Sequence, residues 1–318
     1  MSKRRICILG GTGFVGRRLT ARLAAAGHEV RILTRHRERH KDLLVLPTVQ
    51  LIEGDVYNAA LLRREFRGQD AVINLVGILN ERGRDGRGFE RAHVELPQRI
   101  IQGCRDCGVR RLLHMSALRA SPDAPSHYLR SKARGEALVM GSEGASLNVT
   151  AFRPSVIFGQ DDSFTNRFVR LLRATPLVFP LACPDARFQP VHVEDVAGAF
   201  EIALDDHRTY GQSYNLCGPD VYSLRDIVEY LAQLAGVQRR IIALGDNLSR
   251  LQARLLEFVP GKPFSLDNYR SLQLDSICDG NFPSIFDITP SRIEDVAPLY
   301  LGTPRSLRYS KYRSQGGA

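Results

Sequence analysis

A glycine-rich segment near the start of the chain constrains the fold more than any other feature. Residues 10–16 read Gly-Gly-Thr-Gly-Phe-Val-Gly, after the apolar run Ile6–Leu9 and before a stretch of helical pattern, Arg17–Ala26. Glycines three positions apart in a strand-to-helix turn let the backbone turn tightly, let a pyrophosphate approach the main chain and let the helix pack on the strand. The helix N-terminus adds unpaired N–H groups and a partial positive charge. A second apolar run, Val30–Leu33, completes a strand–helix–strand unit, which favours a phosphate-binding turn over a turn that binds nothing. We predict nucleotide contacts by Gly10, Thr12, Gly13, Phe14, Val15 and Gly16.

The residues after the second strand indicate which dinucleotide fits. In the dinucleotide-binding fold, a residue about twenty positions beyond the glycines meets the adenosine ribose, and an acidic side chain there selects NAD. Here Arg35 and Arg37 follow the strand, and the first acidic residue is Glu38. Guanidinium groups form charge-assisted, often bidentate bonds to phosphate, so they suit the 2′-phosphate of NADP(H). We therefore expect NADP(H) rather than NAD(H). The alternative is that these arginines are solvated surface charges.

Composition describes an ordinary globular protein with a basic surplus. Of 318 residues, 43% are hydrophobic and 25% charged, and the formal net charge is +10. No apolar stretch is long enough to span a bilayer, and Met1–Arg5 leads directly into the first strand, so we predict no signal peptide and a cytoplasmic location. The positive charge favours anionic partners, but its spread over several loops and both ends argues against nucleic-acid binding.

The cysteines predict neither disulfides nor a metal site. In a reducing compartment we expect all six to be thiols. Cys104 and Cys107 have the spacing of zinc ligands, but no second pair completes a site. They continue a helical pattern with Ile100 and Ile101, which indicates a buried face.

Strands and helices alternate through the first half, which predicts an α/β protein with a doubly wound parallel sheet. Later strands are expected at residues 49–52, 71–75, 112–115 and 149–152, and helices at 59–66, 91–107 and 128–140. Beyond residue 155 the pattern is looser and proline-rich, with strands at 189–193 and 213–217 and helices at 194–204 and 224–235. We predict a nucleotide-binding domain over residues 1–155, a smaller, interleaved C-terminal α/β subdomain over 156–310 and a disordered tail over 311–318.

Tyr128 and Lys132 are the candidate catalytic pair. Four residues apart at the start of a predicted helix, both project from one face. A nearby ammonium lowers the pKa of a phenol, which would make Tyr128 a general acid or base, and the same lysine can hold the nicotinamide ribose. The spacing alone is common, but its place directly after the fifth strand strengthens the prediction.

Together these motifs resemble the extended and atypical short-chain dehydrogenase/reductase superfamily, which has a Rossmann fold. The resemblance rests on the glycines of residues 10–16, Gly54–Val56, Asn74–Gly77, Tyr128 with Lys132, and Arg153–Gly159. Further segments, His114–Leu118 and Phe188–Val196, are similar to one branch, which contains the dehydrogenase-like accessory subunit of mitochondrial respiratory complex I and its bacterial relatives. The resemblance implies further cofactor contacts by Asp55, Val56, Leu75, Val76, Gly77, Ser116, Pro154, Ser155 and Val156.

One departure bears on catalysis. Many extended members carry a serine two residues beyond the position of Ser116, where this chain has Leu118, and Tyr128 follows Ser116 by only 12 residues. The loop between Ser116 and Tyr128, which would form the substrate pocket, is therefore short. In the complex I subunit, the resemblance implies a tightly held NADPH without known turnover.

A segment near the C-terminus combines apolar and basic residues. Leu248, Leu251, Leu255 and Val259 form one helical stripe flanked by arginines, and the tail carries further basic residues. The stripe fits a helix packed on the main domain, which we favour, or a basic amphipathic helix on an anionic membrane surface.

Three functions remain open. The first is an NADP(H)-dependent oxidoreductase acting on an unknown carbonyl or quinone-related substrate, in which Tyr128 transfers the proton, Lys132 lowers its pKa and Ser116 orients the carbonyl. The second is a non-catalytic, NADPH-bearing accessory protein of a respiratory or quinone-biosynthesis complex, peripheral at the inner face of a membrane. A sugar-nucleotide epimerase is disfavoured, because it would want NAD and a longer serine–tyrosine spacing. The residues leave open whether the protein turns over a substrate.

Overall fold

The computed structural model describes residues 3–144 and 146–302, which divide into two compact units. The first takes the described residues up to Pro154, together with Val193–Leu216 and Pro283–Ile288. The second takes Ser155–His192, Cys217–Phe282 and the described residues from Thr289 onward. Residues 193–216, assigned from the sequence to the smaller subdomain, belong to the first unit because their strand pairs with its sheet. The predicted tail lies outside the described residues.

The strands of the large sheet closely follow the predicted apolar runs, whereas the strand predicted at 189–193 is confined to Val191–His192 and several further short strands were not predicted. They are β1 (Arg5–Leu9), β2 (Glu29–Thr34), β3 (Val49–Glu53), β4 (Ala71–Asn74), β5 (Arg111–Met115), β6 (Asn148–Pro154), β7 (Ile157–Phe158), β8 (Val178–Leu181), β9 (Arg187–Phe188), β10 (Val191–His192), β11 (Gln212–Leu216), β12 (Tyr222–Ser223) and β13 (Arg240–Ala243).

The helices alternate with these strands. They are α1 (Phe14–Ala25), α2 (Ala59–Phe66), α3 (Arg87–Glu90), α4 (Leu96–Cys107), α5 (His127–Met140), α6 (Thr165–Ala174), α7 (Val193–Ala203), α8 (Leu224–Leu234), α9 (Asp246–Leu256), α10 (Leu266–Ser271) and α11 (Ile293–Leu301). A π-helical turn, Arg91–Glu95, joins α3 to α4, and short 3-10 helices occupy Arg37–Val45, His207–Thr209 and Ser284–Phe286. Among the described helices, none has both the length and the apolar character needed to cross a membrane.

Parallel strands form the sheet of the first unit in the order β11-β6-β5-β4-β1-β2-β3. The order reverses between β1 and β4, and the carboxyl ends of these strands border the crevice where such sheets bind ligands. The runs are apolar throughout because helices cover the sheet: Cys7 and Leu9 of β1 pack with Leu62 of α2 and Ile100 of α4. Cys104 is fully buried in the same cluster, as its helical pattern indicated. This sheet confirms the predicted doubly wound Rossmann architecture.

The second unit has its own core, formed by apolar faces of α6, α8 and α11. Leu172, Leu231 and Ala297 are among its fully buried members. Three two-stranded pairs accompany these helices: β7 with β10, β8 with β13, and β9 with β12. The smaller part of the chain is therefore α/β, as predicted.

A disulfide in the second unit corrects the prediction of six thiols. Cys217 is bonded to Cys278, 61 residues later in the chain. The side chain of Gln189 holds both neighbourhoods together, since its Oε1 accepts the Cys278 N–H at 3.0 Å and its Nε2 donates to the Gly218 carbonyl at 2.7 Å. Pairing at this separation leaves no signal in the local sequence pattern.

Candidate functional site

The glycine-rich turn has the geometry of a phosphate cradle. Gly10 has φ +83°, and a Cβ added there would lie 2.9 Å from the Leu75 carbonyl carbon, so the turn passes directly against the end of β4. A Cβ at Gly16 would lie 2.2 Å from the Gly10 carbonyl oxygen, which is the close strand–helix packing that the third glycine allows. Gly13 is exposed, and within 4 Å its Cβ would meet just the Gly10 carbonyl oxygen, at 3.2 Å. The outer side of the turn is therefore open to a ligand at Gly13.

The N-terminus of α1 continues this cradle. Gly13 is the N-cap residue, and no described side chain caps the helix there. The first-turn residues Phe14 and Val15 are half-buried, and their N–H groups belong to the unpaired set at a helix start. Such N–H groups suit an anion, so these residues fit the pyrophosphate of a dinucleotide.

The predicted adenosine contacts follow β2 and β3. Arg35 and Arg37 are exposed just beyond the carboxyl end of β2. The Arg37 backbone N–H donates to Glu53 Oε2 at 2.8 Å, so a carboxylate from β3 also lies here. Asp55 accepts the Tyr57 N–H at 3.0 Å and thereby closes the corner after β3, and Val56 packs against the core.

The end of β4 lies beside the candidate catalytic helix. The Leu75 N–H bonds the Leu9 carbonyl at 2.9 Å, and the Asn74 side chain accepts the Val76 N–H at 3.1 Å. A methyl group in place of a Gly77 hydrogen would lie 3.2 Å from Lys132 Nζ. The structure thus brings together the glycine-rich turn, residues 75–77 and Lys132.

Tyr128 and Lys132 lie in the first two turns of α5, as predicted. Ser126 caps this helix by accepting the Leu129 N–H at 3.2 Å. The Tyr128 ring meets the ring of His93 edge-on, with centroids 5.6 Å apart. Lys132 is 4% exposed, and its Nζ donates to the Met115 carbonyl at the end of β5, at 3.0 Å.

Burial dominates the protonation of this pair. It raises the pKa of Tyr128 to about 12, whereas the spacing to Lys132 predicted a lowered value. Burial also lowers the pKa of Lys132 to about 8, against the opposing effect of the Glu136 carboxylate. The prediction of a lowered pKa for Tyr128 failed. The i, i+4 spacing brings the two residues close together, but it does not determine which acceptor binds the lysine ammonium, and here that acceptor is a backbone carbonyl.

Ser116 has a partner of its own. Its hydroxyl donates to Glu136 Oε2, and Glu136 Oε1 accepts from Arg153 Nε at 2.7 Å and from Ser213 at 3.1 Å. Ser116 is 2% exposed and Glu136 4% exposed, so both are buried, while Arg153 and Ser213 are partly exposed. The role of Ser116 in orienting a carbonyl stays a prediction.

The residues after β6 are divided between the units. Pro154 ends β6 in the first unit, where its carbonyl accepts the Leu118 N–H at 3.0 Å. Ser155 and Val156 belong to the second unit, and the Ser155 hydroxyl donates to the Ser276 carbonyl at 2.8 Å. Their predicted contact with the nicotinamide stays a prediction.

His93 is a site residue that the sequence reasoning missed. It lies in the π-helical turn, and its Nε2 accepts the Ile78 N–H at 3.1 Å, so the proton is on Nδ1, 2.8 Å from Ser131 Oγ. That hydroxyl donates to the Tyr128 carbonyl at 2.8 Å. Burial, with the charge of Lys132, lowers the pKa of His93 to about 2, so the imidazole is neutral. Its sequence signal was a histidine on the buried face of the predicted helix 91–107.

Comparison with known proteins places the chain in a family. The profile of the NAD dependent epimerase/dehydratase family matches residues 6–217. The chain is 32% identical to NADH dehydrogenase (ubiquinone) 1 alpha subcomplex subunit 9, mitochondrial, of Rattus norvegicus, over 92% of this chain and 78% of the relative. It is 29% identical to the ceramide reductase of Caulobacter vibrioides, over 76% and 74%.

A solved structure supports the same fold. A double mutant of the dTDP-glucose 4,6-dehydratase from Streptomyces venezuelae, solved with NAD bound, superposes with a TM-score of 0.71 at 20% identity, over 93% of this chain and 95% of that one. At this identity the likeness concerns the fold alone. The relatives match the branch that the sequence motifs resemble, and the chain belongs to the NAD dependent epimerase/dehydratase family.

Proposed function

We propose that this protein is an NADP(H)-binding oxidoreductase of the short-chain dehydrogenase/reductase type, acting on a carbonyl or quinone-related substrate. The observation that carries the proposal is the position of Lys132 Nζ beside Gly77, at the end of β4 and next to the glycine-rich turn. The lysine amine thus lies at the end of β4, where the crevice of a doubly wound sheet receives its ligand, and Tyr128 stands one turn earlier on the same helix.

The chain's own residues support reduction of a carbonyl. With a pKa of about 12, Tyr128 is protonated across the neutral range and can donate its proton to a substrate oxygen that gains negative charge. Lys132 is charged below its pKa of about 8 and can hold a ribose hydroxyl near Gly77. A bound nicotinamide would supply the hydride.

NADP(H) is the proposed form because of Arg35 and Arg37. Both side chains are exposed beyond β2, and within residues 3–144 and 146–302 no hydrogen bond or ion pair engages the Arg35 guanidinium. Glu53 is the competing feature, since a carboxylate near this strand end suits a free ribose hydroxyl.

Isothermal calorimetry with NADPH and NADH tests the choice. Arg35→Glu should weaken NADPH binding by ~1.5–3 kcal/mol, the loss expected for a charge-assisted bond, and change NADH binding less. Arg110→Glu, at an exposed arginine after α4, makes the same change of charge elsewhere and should leave both affinities nearly unchanged. Equal affinity of the wild type for both nucleotides would refute the NADP(H) assignment.

A second candidate function is a non-catalytic nucleotide-bearing accessory protein of a respiratory or quinone-related complex. Its support is the similarity to alpha subcomplex subunit 9, together with a lysine whose amine is engaged by the Met115 carbonyl. Tyr128→Phe separates the two functions. If the protein is an enzyme, the variant should turn over ~10²–10⁴-fold more slowly than the wild type while keeping its nucleotide affinity. If it is an accessory protein, the variant with bound nucleotide should melt at the same temperature as the wild type with bound nucleotide. The cytoplasmic location, peripheral at the inner face of a membrane, stays a prediction.

A further inference from the structure

Helix α9 turns its apolar stripe away from the protein. Leu248, Leu251 and Leu255 recur at i, i+3 and i+7 and are 55%, 49% and 61% exposed, and Phe258 beyond the helix is 74% exposed. The helix contacts its own unit through small residues instead, since Ser249 and Ala253 are buried. The favoured expectation that this stripe packs on the protein is therefore wrong.

The adjacent two-stranded sheet extends the apolar surface. In β8 the buried Phe179 and Leu181 alternate with outward-facing Val178 and Pro180, and Val178 is 44% exposed. Pro180 pairs in register with Ile242 of β13, which is 43% exposed. Gln252 Nε2 donates to the Pro180 carbonyl at 3.1 Å, which joins the flank of α9 to this sheet.

Exposed arginines outnumber the carboxylates around these apolar residues. Arg250 and Arg254 follow one flank of the stripe, Arg240 pairs in register with Val178, and Arg173 lies in the last turn of α6; all four are exposed. In the described part of the chain none of these guanidinium groups forms an ion pair. The carboxylates on this stretch are engaged by the protein itself: Asp246 accepts from the Tyr269 hydroxyl, and Glu257 accepts the Leu266 N–H at 3.0 Å.

We propose that this face is a binding surface for an anionic lipid membrane. The α9 surface, as we call it, consists of the exposed apolar residues of α9, β8 and β13 and the four arginines beside them. A helix with leucines on one side and arginines beside them can lie in the plane of a bilayer interface, with its apolar side among the acyl chains and its charges at anionic headgroups. The proposal goes beyond the oxidoreductase function and does not depend on it.

Charge favours a membrane over a second copy of the chain. A two-fold contact would bring the same face of each copy together and set four unpaired arginines against four others. In a protein with a formal net charge of +10 this contact is repulsive. An anionic bilayer instead attracts each arginine and contributes about fivefold in affinity per charge near its surface.

Vesicle flotation with the full chain tests the α9 surface. The wild type should float with vesicles of phosphatidylcholine and phosphatidylglycerol, less so at high salt, and remain unbound with phosphatidylcholine alone. Leu251→Asp with Leu255→Asp should abolish flotation, and Arg250→Gln with Arg254→Gln should weaken it about 20- to 30-fold.

Matched control variants make the same kinds of substitution at exposed positions outside the α9 surface. Val45→Asp changes an apolar residue that is 77% exposed in the first unit, and Arg67→Gln with Arg110→Gln removes two exposed charges there. Both controls should float like the wild type. If the leucine double variant unfolds by circular dichroism, Phe258→Ser, at a 74% exposed position, replaces it.

Three results would overturn the proposal. The wild type could fail to float with phosphatidylglycerol vesicles, or the controls could lose flotation as much as the α9 variants. Light scattering could also show a dimer that the leucine variants dissociate, without any vesicle binding, which would assign the face to a second copy.

Discussion

Lys132 should make the stability of this protein depend on pH in an unusual direction. Lys132 is 4% exposed and its amine has the Met115 carbonyl as acceptor, and burial lowers its pKa from 10.5 to about 8. Between these values the unfolded chain still carries the proton and the folded protein does not. Because the unfolded state then binds more protons, the free energy of unfolding rises with pH across this window.

The magnitude follows from the size of the shift. One pKa unit corresponds to about 1.4 kcal/mol, so a value lowered from 10.5 to about 8 makes the charged lysine cost roughly 3 kcal/mol below pH 8. Lys132→Met removes this cost but leaves the Met115 carbonyl without its donor, which offsets about 1–3 kcal/mol. At neutral pH the variant should therefore be as stable as the wild type or more stable, although it loses the amine proposed to bind nucleotide.

Urea unfolding from neutral pH to about pH 10.5 measures this effect as a difference between wild type and Lys132→Met. The wild type should gain roughly 3 kcal/mol relative to the variant between pH 8 and 10.5. Lys41→Met, which removes an amine whose side chain is 67% exposed, is the matched control. A difference that stays constant with pH, or that falls, would refute the claim that Lys132 is charged at a cost in the folded protein.

Three further predictions concern packing in the first unit. Gly13→Val should fold, as judged by circular dichroism, but lose nucleotide binding, because the side chain fills the open side of the turn. Gly16→Val should lose the fold as well, since a Cβ there lies 2.2 Å from a backbone oxygen. Equal behaviour of the two variants would contradict the phosphate cradle. Gly135→Ala should separate α5 from the π-helical turn, whose backbone oxygen lies 1.8 Å from the new Cβ, and a melting temperature within error of wild type would contradict this. Arg111→Leu leaves buried acceptors on three elements without their donor. Urea titrations should show that it lowers the free energy of unfolding by roughly 3–5 kcal/mol. The control Arg110→Leu, at an exposed arginine, should change this free energy little.

Local pattern predicted the first unit well for a physical reason. A parallel strand covered on both sides is apolar along its whole length, so runs such as Ile6–Leu9 and Ala71–Asn74 are visible without any knowledge of their partners. The helix over residues 59–66 begins and ends where predicted, because Asn58 caps it by accepting the N–H groups of Ala60 and Leu61. The glycine-rich turn was predictable because its chemistry depends on residues adjacent in the chain.

Contacts between distant residues were beyond this reasoning. Glu136 is held by Arg153 and by Ser213, 77 residues further along the chain, and nothing in the helix around Glu136 marks it as a buried carboxylate with these partners. The disulfide of Cys217 joins two segments that meet in the folded second unit. Periodicity found the stripe on α9 but could not tell which side of the helix faces the protein, because Ser249 and Ala253 pack as closely as larger residues would.

The protonation of the Tyr128–Lys132 pair bears on the direction of any reaction at this site. A reaction that begins with a deprotonated tyrosine must overcome a pKa of about 12, and the amine that would lower it is engaged by the Met115 carbonyl. A reaction that begins with the protonated phenol needs neither change, since Tyr128 already carries its proton and Lys132 already lies beside Gly77. The neutral His93, whose hydrogen bonds run through Ser131 to the Tyr128 carbonyl, fixes the start of α5 in this state. Burial therefore keeps Tyr128 in the protonated form that the proposed reduction would need, while the same raised pKa makes the phenol a weaker acid than a free tyrosine.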